Sequence, residues 1–592
     1  MLTIRLLGVP RLERDGRPVA GPRGRKAWAL LAYLLLAGRP PGRARLAELL
    51  FCEAADPLGA LRWTLAELRR ALGLPGMLGG DPVDPALGAD VTVDVYLGAV
   101  DYPCMDGELL EGLVVESCPE FDAWLAVERR RVAAVAEARL RQVALALLTS
   151  GRAGAAVPYA TRAVALAPLE QGNHELLVRS LAAAGDRRAA AAQVEACADL
   201  FRRELGVEVS AALRDAADAR PGAVGVPAIG GRAAAASQIE AGRAAIAAGA
   251  VDAGLQCLRR AVAEAERCAD TALRARALVA LGGALVHAVR GRDEEGAVVL
   301  HEAIQVATGA GDRVGVVTAY RELGFVEVQA GRRGTADGWL AKAHHLAETD
   351  GELAAVLGVR GMNSSDHADY PTAFGQLHES VERARSCGDD RQQAWSLSLV
   401  ARAHLLRGDH SPAIVAVQRS LELVHEQRWI AFLPWPQALR AELDLQAGDV
   451  ERAADGLEQA WAMAVQLGDP CWEGMAARGL GLLYAGRGDH VAATGWLTEA
   501  ADRCNRTPDR YQWIRAHVLD TAITAALDRD DADRARPLLA ALQTLSARCD
   551  LRELVVRAAL HSARLGDPAA LNSARLLAAD IDNTELHRLI NT

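Results

Sequence analysis

Leu58, Leu61, Leu65, Leu68 and Leu72 recur three and four residues apart, the spacing that puts side chains on one face of an α-helix. Asp56 before them is an N-cap, Pro57 suits a first turn, and Gly73 supplies a left-handed stop, so a helix is predicted between Asp56 and Gly73. Projected at about 100° per residue, Gly59, Arg62, Trp63, Ala66, Glu67 and Arg70 fall on or beside the opposite face, with Arg69 near its edge. Two more helical patterns come before it. Residues 23–38 open on Arg23, Arg25 and Lys26 and end at Gly38, and residues 43–51 form a shorter helix. Ahead of these, Leu2–Leu7 and Arg11–Arg14 read as strands, and Asp15-Gly16 is a hairpin turn leading to Arg17–Val19. Val91–Val95 is a further candidate strand, and a wing is expected around 76–95. A short-turn helix pair with a free basic face on its second member is the arrangement that lays a helix in the major groove while its neighbours hold phosphates.

The next stretch reads as stacked helix pairs. Within 120–218, alanine- and leucine-rich segments break at Ser150-Gly151, Ala167-Pro168 and Gly185-Asp186. Residues 219–231 contain glycine and proline with almost no charge and read as a linker. Turn signals then recur about every forty residues, at Gly291, Gly331, Asp369, Gly408, Gly448, Gly488 and Asp530. Intermediate signals stand at Gly311-Asp312, Asp350-Gly351, Gly388-Asp389 and Gly468-Asp469. Each hairpin leaves an apolar face that only its neighbour covers, so the units must stack into a right-handed superhelix of eight or nine hairpins with a concave wall. The expected fold is mainly α: an N-terminal winged helix (1–95), a tetratricopeptide-like segment (96–218), the linker (219–231) and a tetratricopeptide-like solenoid (232–592).

Charge sharpens this division. The 592 residues carry a net −10, yet residues 1–73 hold 13 Lys and Arg against 6 Asp and Glu, a local +7 on a body of −17. An acidic body repels phosphate, which confines DNA contact to the N-terminal end. Arg25, Lys26, Arg43 and Arg45 are candidates for phosphates; Arg62, Trp63, Thr64, Arg69 and Arg70 are candidates for base edges and flanking backbone. The ten cysteines are scattered with no CxxC pair, and no run of eighteen apolar residues occurs. These features, with an N-terminus unlike a signal peptide, lead to the expectation of a cytoplasmic, nucleoid-associated protein without membrane contact.

The candidate chemistry is of binding rather than catalysis. Only two lysines exist, Lys26 and Lys342, and neither follows glycine, so the phosphate-binding loop GxxxxGK[ST] does not occur; nor does GxSxG. No enzyme activity, cofactor or metal is expected. Eight of the eleven tryptophans lie in the repeats. Trp339 and Trp496 sit at equivalent repeat positions and read as packing residues. Trp429–Pro436 replaces a clean turn with an aromatic, proline-interrupted segment, so Trp429 and Trp435, with Trp395 and Trp472, are candidates for a ligand or partner surface.

The strands, the Asp-Gly hairpin, GPRGRKAWALLAYLLLAGRPPGRARLAELLF and DPLGALRWTLAELRRALG together resemble the OmpR-type winged helix of the antibiotic regulatory protein (AfsR/SARP-type) family of activators. Phe121–Leu213 resembles the bacterial transcriptional activator domain that follows it in that family, so the resemblance covers about residues 1–218. Phe51-Cys52 stands where relatives commonly have tryptophan-glycine, and Trp63 is bulkier than the small polar residue usual there. The resemblance implies binding to direct repeats in double-stranded promoter DNA, more than one protomer, and contacts to RNA polymerase and its sigma factor. A small-molecule or protein effector would act at the repeats. The alternative reading is a non-enzymatic scaffold assembling a complex through its repeats.

Overall fold

The computed structural model describes all residues except 38, 75, 86, 89, 96–106, 116, 219–230, 248–249, 290, 506–510 and 592. The predicted linker, apart from Gly231, and the Gly38 helix stop therefore lie outside the described residues. Among those described there are 27 helices and one four-stranded sheet, so the fold is mainly α. No described helix is long and apolar enough to cross a membrane. The chain divides into two compact units, residues 1–136 with 562–576 and residues 137–561 with 577–592.

In the first unit, β1 (Leu2–Arg5) pairs antiparallel with β2 (Arg11–Arg14), which pairs antiparallel with β3 (Arg17–Val19). Helices α1 (Arg25–Leu36), α2 (Arg43–Phe51) and α3 (Pro57–Leu72) follow, and β4 (Val91–Val93) then pairs in parallel with β1. The sheet order is β3-β2-β1-β4. The expected wing at 76–95 thus takes another form: its described residues hold a Gly79–Asp84 bridge and the parallel strand β4. Asp94, just past β4, fixes the sheet edge by accepting the Leu6 and Leu7 amides at 2.8 and 3.1 Å. Burial pushes its carboxyl above the usual range despite these bonds. Ile4, Leu12, Leu30, Leu34, Leu50 and Leu65 belong to one core with Phe121.

Helix α4 (Pro119–Thr149) is followed by α5 (Ala153–Leu166), α6 (Gln171–Ala183) and α7 (Arg187–Leu205), separated at the three predicted breaks, and by α8 (Ala211–Asp218) after a fourth break at left-handed Gly206. The repeats then pair as α9 (Arg232–Ala247) with α10 (Val251–Arg267), α11 (Thr271–His287) with α12 (Asp293–Ala310), and α13 (Arg313–Gln329) with α14 (Arg333–Leu346). They continue as α15 (Asp350–Asp366) with α16 (Tyr370–Cys387), α17 (Asp390–Arg407) with α18 (His410–Glu426), and α19 (Pro434–Gln446) with α20 (Val450–Leu467). The remaining pairs are α21 (Pro470–Gly486) with α22 (His490–Asn505) and α23 (Gln512–Leu527) with α24 (Ala532–Arg548). From α9 to α23 the first helix of each pair also packs on the first helix of the next, making one continuous layer. Helices α25 (Arg552–Arg564), α26 (Pro568–Ala578) and α27 (Thr584–Asn591) complete the chain.

The Gly-Asp dipeptides have a physical reason. Gly311, Gly388 and Gly468 close α12, α16 and α20 in the left-handed conformation, and the following Asp312, Asp389 and Asp469 cap α13, α17 and α21 through their carboxylates. Asp350-Gly351 behaves differently. It forms the first turn of α15, because Thr349 and Glu352 make a capping box one residue earlier.

A second rule of the repeat is close approach. Gly282, Gly324 and Gly481, each on the first helix of its pair, face Leu300, Leu340 and Leu497 on the second; a methyl on Gly324 would meet Leu340 Cγ at 2.6 Å. Gly324→Val is therefore expected to cost about 1–3 kcal/mol by overpacking. Gly334→Ala on α14, with open space at its Cβ position, should instead gain about 0.5–1 kcal/mol. Urea unfolding of the two variants checks the contrast.

Helices α4 and α6 are tied to the repeats by buried ion pairs within the second unit. Arg141 on α4 donates to Asn173 Oδ1 on α6 at 2.7 Å and pairs with Glu294 on α12. Arg548 pairs with Glu170 at 2.6 Å and lies 3.7 Å from Glu137. Arg332 bridges Glu327 and Glu294 at 3.2 and 3.9 Å. Burial works against its charge, but the carboxylates of Glu327, Glu137 and Glu294 prevail and raise its pKa.

Candidate functional site

Helix α3 begins at Asp56, whose Oδ1 accepts the Gly59 amide at 2.8 Å, and ends at Gly73 with φ +71°. Leu61, Leu65, Leu68 and Leu72 are buried as expected, but Leu58 is 48% exposed because it stands in the first turn, away from that core. Arg62, Trp63, Ala66 and Arg70 form the exposed face, with Trp63 at 64%.

Four sequence candidates change role. Thr64 turns inward at 4% exposure, and its hydroxyl donates to the Ala60 carbonyl at 2.9 Å, so it offers nothing to a base. Arg69 reaches the chain after α3 and donates to the carbonyls of Met77 and Leu78 at 2.8 and 2.6 Å. Arg43 donates to the Gly80 carbonyl at 2.8 Å, and Arg45 pairs with Glu120 at 2.8 Å. Free carbonyls and a carboxylate close by hold these long cations in place. Glu67, expected on the outer face, is buried. It accepts from Arg70 Nε at 3.1 Å and from the Arg23 amide at 3.0 Å, which holds its carboxyl below the usual range and ties α3 to the start of α1.

Arg62, Trp63, Arg25 and Lys26 remain, with Arg70 exposed but paired with Glu67. Arg62 lies 3.5 Å from Asp56, a solvent-screened pair. Lys26 sits over the Phe51 ring, 5.5 Å from its centre. Arg23, Arg25, Lys26, Phe51 and Trp63 line an open groove of about 640 Å³. Gly24 at the start of α1 provides no side-chain cap and the first turn holds no acidic residue, so this helix start and three neighbouring cations favour an anion, against the carboxylates of Glu53 on the groove wall and Glu67 at the Arg23 amide. Arg23 was not singled out as a site residue because only the fold brings it beside Trp63.

The second unit holds a cavity of about 540 Å³ that brings together all four candidate tryptophans, Trp395, Trp429, Trp435 and Trp472. Its lining comes largely from the layer of first helices, α11 to α21, with Tyr511 ahead of α23. Trp429 stacks on Phe432 at 4.4 Å, and Trp435 lies 5.1 Å from Trp472. Phe325 approaches Trp395 at 6.4 Å. Trp435 is buried and donates its indole N–H to Ser398 Oγ at 3.1 Å. Trp339 and Trp496 lie elsewhere: Trp339 stacks on Tyr320 of its own hairpin at 5.5 Å and lies edge-on to His301 of the preceding hairpin at 5.2 Å, and Trp496 lies edge-on to Trp461 of the preceding hairpin at 5.2 Å, so both pack between neighbouring hairpins. Phe432, from the Trp429–Pro436 stretch, lines the cavity as well, and so do Phe325, Met362 and Arg391, which carry no sign in the sequence.

Beside the cavity, buried Arg402 donates to Tyr511 Oη and Asp366 Oδ1 at 2.5 and 2.6 Å, and its guanidinium stacks over Trp513 at 4.3 Å. Burial pushes the Asp366 carboxyl up to about 6 in spite of Arg402 and Tyr511. Glu322 on the cavity wall behaves oppositely. Burial raises it, but Arg321 and His287 outweigh that and hold it at about 2, below its ordinary 4.5. A depressed carboxylate stabilises the fold above its unfolded pKa, and this contribution is lost as pH falls from about 4.5 toward 2. Glu322→Gln should therefore flatten the acid limb of the urea midpoint against pH; an unchanged limb would count against the ion pairs.

This geometry defines a helical-repeat protein with a small sheet-and-three-helix unit at its N-terminus. Residues 105–219 match the family profile of the bacterial transcriptional activator domain. The chain thus combines an activator-domain segment with tetratricopeptide-like repeats. No curated protein matches it significantly. Among solved structures it is similar to a Rap protein complexed with competence and sporulation factor, at 14% identity over 60% of this chain and 92% of that one, TM-score 0.41. NprR in complex with its cognate peptide NprX is similar at 13% identity over 54% and 98% of the two chains, TM-score 0.41. A signal transduction ATPase with a tetratricopeptide repeat sensor from Pyrococcus horikoshii is similar at 13% identity over 57% and 54%, TM-score 0.32.

Proposed function

We propose that this chain is a sequence-specific transcriptional activator of the antibiotic regulatory protein type, without catalytic activity, which binds promoter DNA through α3 and takes an effector at its repeats. The observation that carries the reading is the exposed Arg62/Trp63/Arg70 face of α3 beside the Arg23/Arg25/Lys26 groove. In this account α3 enters the major groove, Arg62 and Arg70 reach base edges, and the uncapped start of α1 with Arg25 and Lys26 holds a phosphate. Protomers bind adjacent direct repeats in the cytoplasm and recruit RNA polymerase with its sigma factor, and the aromatic cavity is where the effector acts.

Binding to promoter and random duplexes tests this. Arg62→Ala should reduce sequence discrimination by about 1–3 kcal/mol, whereas Lys26→Ala should weaken all sequences alike and reduce the salt slope by about 1. A scaffold reading predicts neither change, and equal effects of both variants on both duplexes would reject the assignment.

A further inference from the structure

The cavity in the repeats restricts the chemistry of what fills it, and the restriction rests on the proposed reading of that cavity as the effector site. Its volume of about 540 Å³ suits a small molecule. Most of its polar lining is already engaged. Asp389 and Asp469 accept amides at the starts of their own helices, at 3.0 Å from Gln392 and 3.0 Å from Cys471. Glu322 is held by Arg321 and His287, Tyr511 donates to Asp366 at 2.8 Å, and Gln392 donates to Ser396 at 3.0 Å. A peptide backbone or a sugar, each needing a partner for every buried donor and acceptor, would have to share side chains that already hold these bonds. The rings of Phe325, Trp395, Trp429, Phe432 and Trp472 instead offer flat apolar surface. One lining cation stands apart: Arg391 is exposed, its guanidinium over the Trp429 ring at 5.6 Å, and it forms no ion pair among the described residues.

We propose that the cavity binds a flat, conjugated polycyclic aromatic acid, stacked on the indole faces with its anionic group against Arg391. A guanidinium already resting on a ring is placed to meet a stacked anion without crossing the pocket.

The test uses the full chain and three dyes of similar size: anilinonaphthalene sulfonate, its neutral parent phenylnaphthylamine, and cationic proflavine. Tryptophan quenching should show saturable binding of one sulfonate dye per chain, about tenfold tighter than the neutral parent and tighter still than proflavine. Arg391→Gln should weaken the sulfonate about tenfold and leave the neutral parent within about twofold. Trp429→Ala should weaken both, and Trp429→Phe, which keeps a ring face, should restore most of the loss, separating a lost stacking surface from a misfolded repeat. The proposal is overturned if the neutral or cationic dye binds as tightly as the sulfonate, if Arg391→Gln weakens all dyes alike, if Trp429→Ala changes nothing, or if no saturable binding occurs. No DNA enters the measurement, so a chain that binds the acid but no promoter keeps this inference and loses only the regulatory reading.

Discussion

Arg402→Met should destabilise the second unit by about 3–5 kcal/mol at neutral pH. The guanidinium is fully buried and serves Asp366, Tyr511 and Ser365 together, and methionine keeps much of the stem volume while leaving the Asp366 carboxyl with one donor fewer. The pH dependence identifies the cause. Asp366 already has a folded pKa of about 6 against an ordinary 3.8, so ionising it costs stability, and its contribution is lost as pH rises through about 6. Without Arg402 the carboxyl rises further, so the deficit of the variant should be largest above pH about 7 and shrink toward pH about 5. Adding Asp366→Asn removes the charge, and the double variant should recover most of the loss. A pH-independent deficit, unchanged in the double variant, would make Arg402 a packing residue only. Because Tyr511 belongs to both the network and the cavity lining, the single variant should also lose affinity for the sulfonate dye.

Arg141→Met should have a comparable effect, about 3–5 kcal/mol, at a different place. Its guanidinium, 2% exposed, joins Asn173 of the activator-domain segment to Glu294 of the repeats, residues separated by long stretches of sequence. Removing it leaves Glu294 with the more distant Arg332, at 3.9 Å. Urea unfolding should show the loss, and amide exchange in α6 and α12 should rise together. Arg141→Met with Glu294→Leu should be closer to wild type than the single variant, since the cost comes from the abandoned carboxylate. If the two are equally destabilised, the pair does not couple these helices.

The sequence made the boundaries of α3 legible because caps are local: Asp56 and Gly73 act within one turn of themselves. The same locality placed the Gly-Asp junctions of the repeats. Asp350-Gly351 was misplaced although Thr349 and Glu352 carried the signal, because a turn dipeptide and a capping box competed there. The outer face of α3 was legible only in part. A helical projection sorts residues by angle, but Thr64 satisfies its hydroxyl within the helix and Glu67 is drawn inward by Arg70 and the Arg23 amide. Arg43, Arg45 and Arg69 read as free cations because their partners, Gly80, Glu120 and Met77, are supplied by the tertiary fold. In the cavity, the Trp429–Pro436 departure from the repeat marked the place. Phe325 and Met362, from hairpins earlier in the chain, carried no local sign, since only stacking of the first helices brings them there.

Binding of the intact chain to its own promoter against random duplex, titrated with salt, tests the central claim most directly. The account predicts affinity for the promoter at least about a thousandfold above random DNA at physiological salt, with log affinity falling linearly with log salt concentration. Equal affinity for both duplexes, or no salt-dependent binding to either, would contradict it.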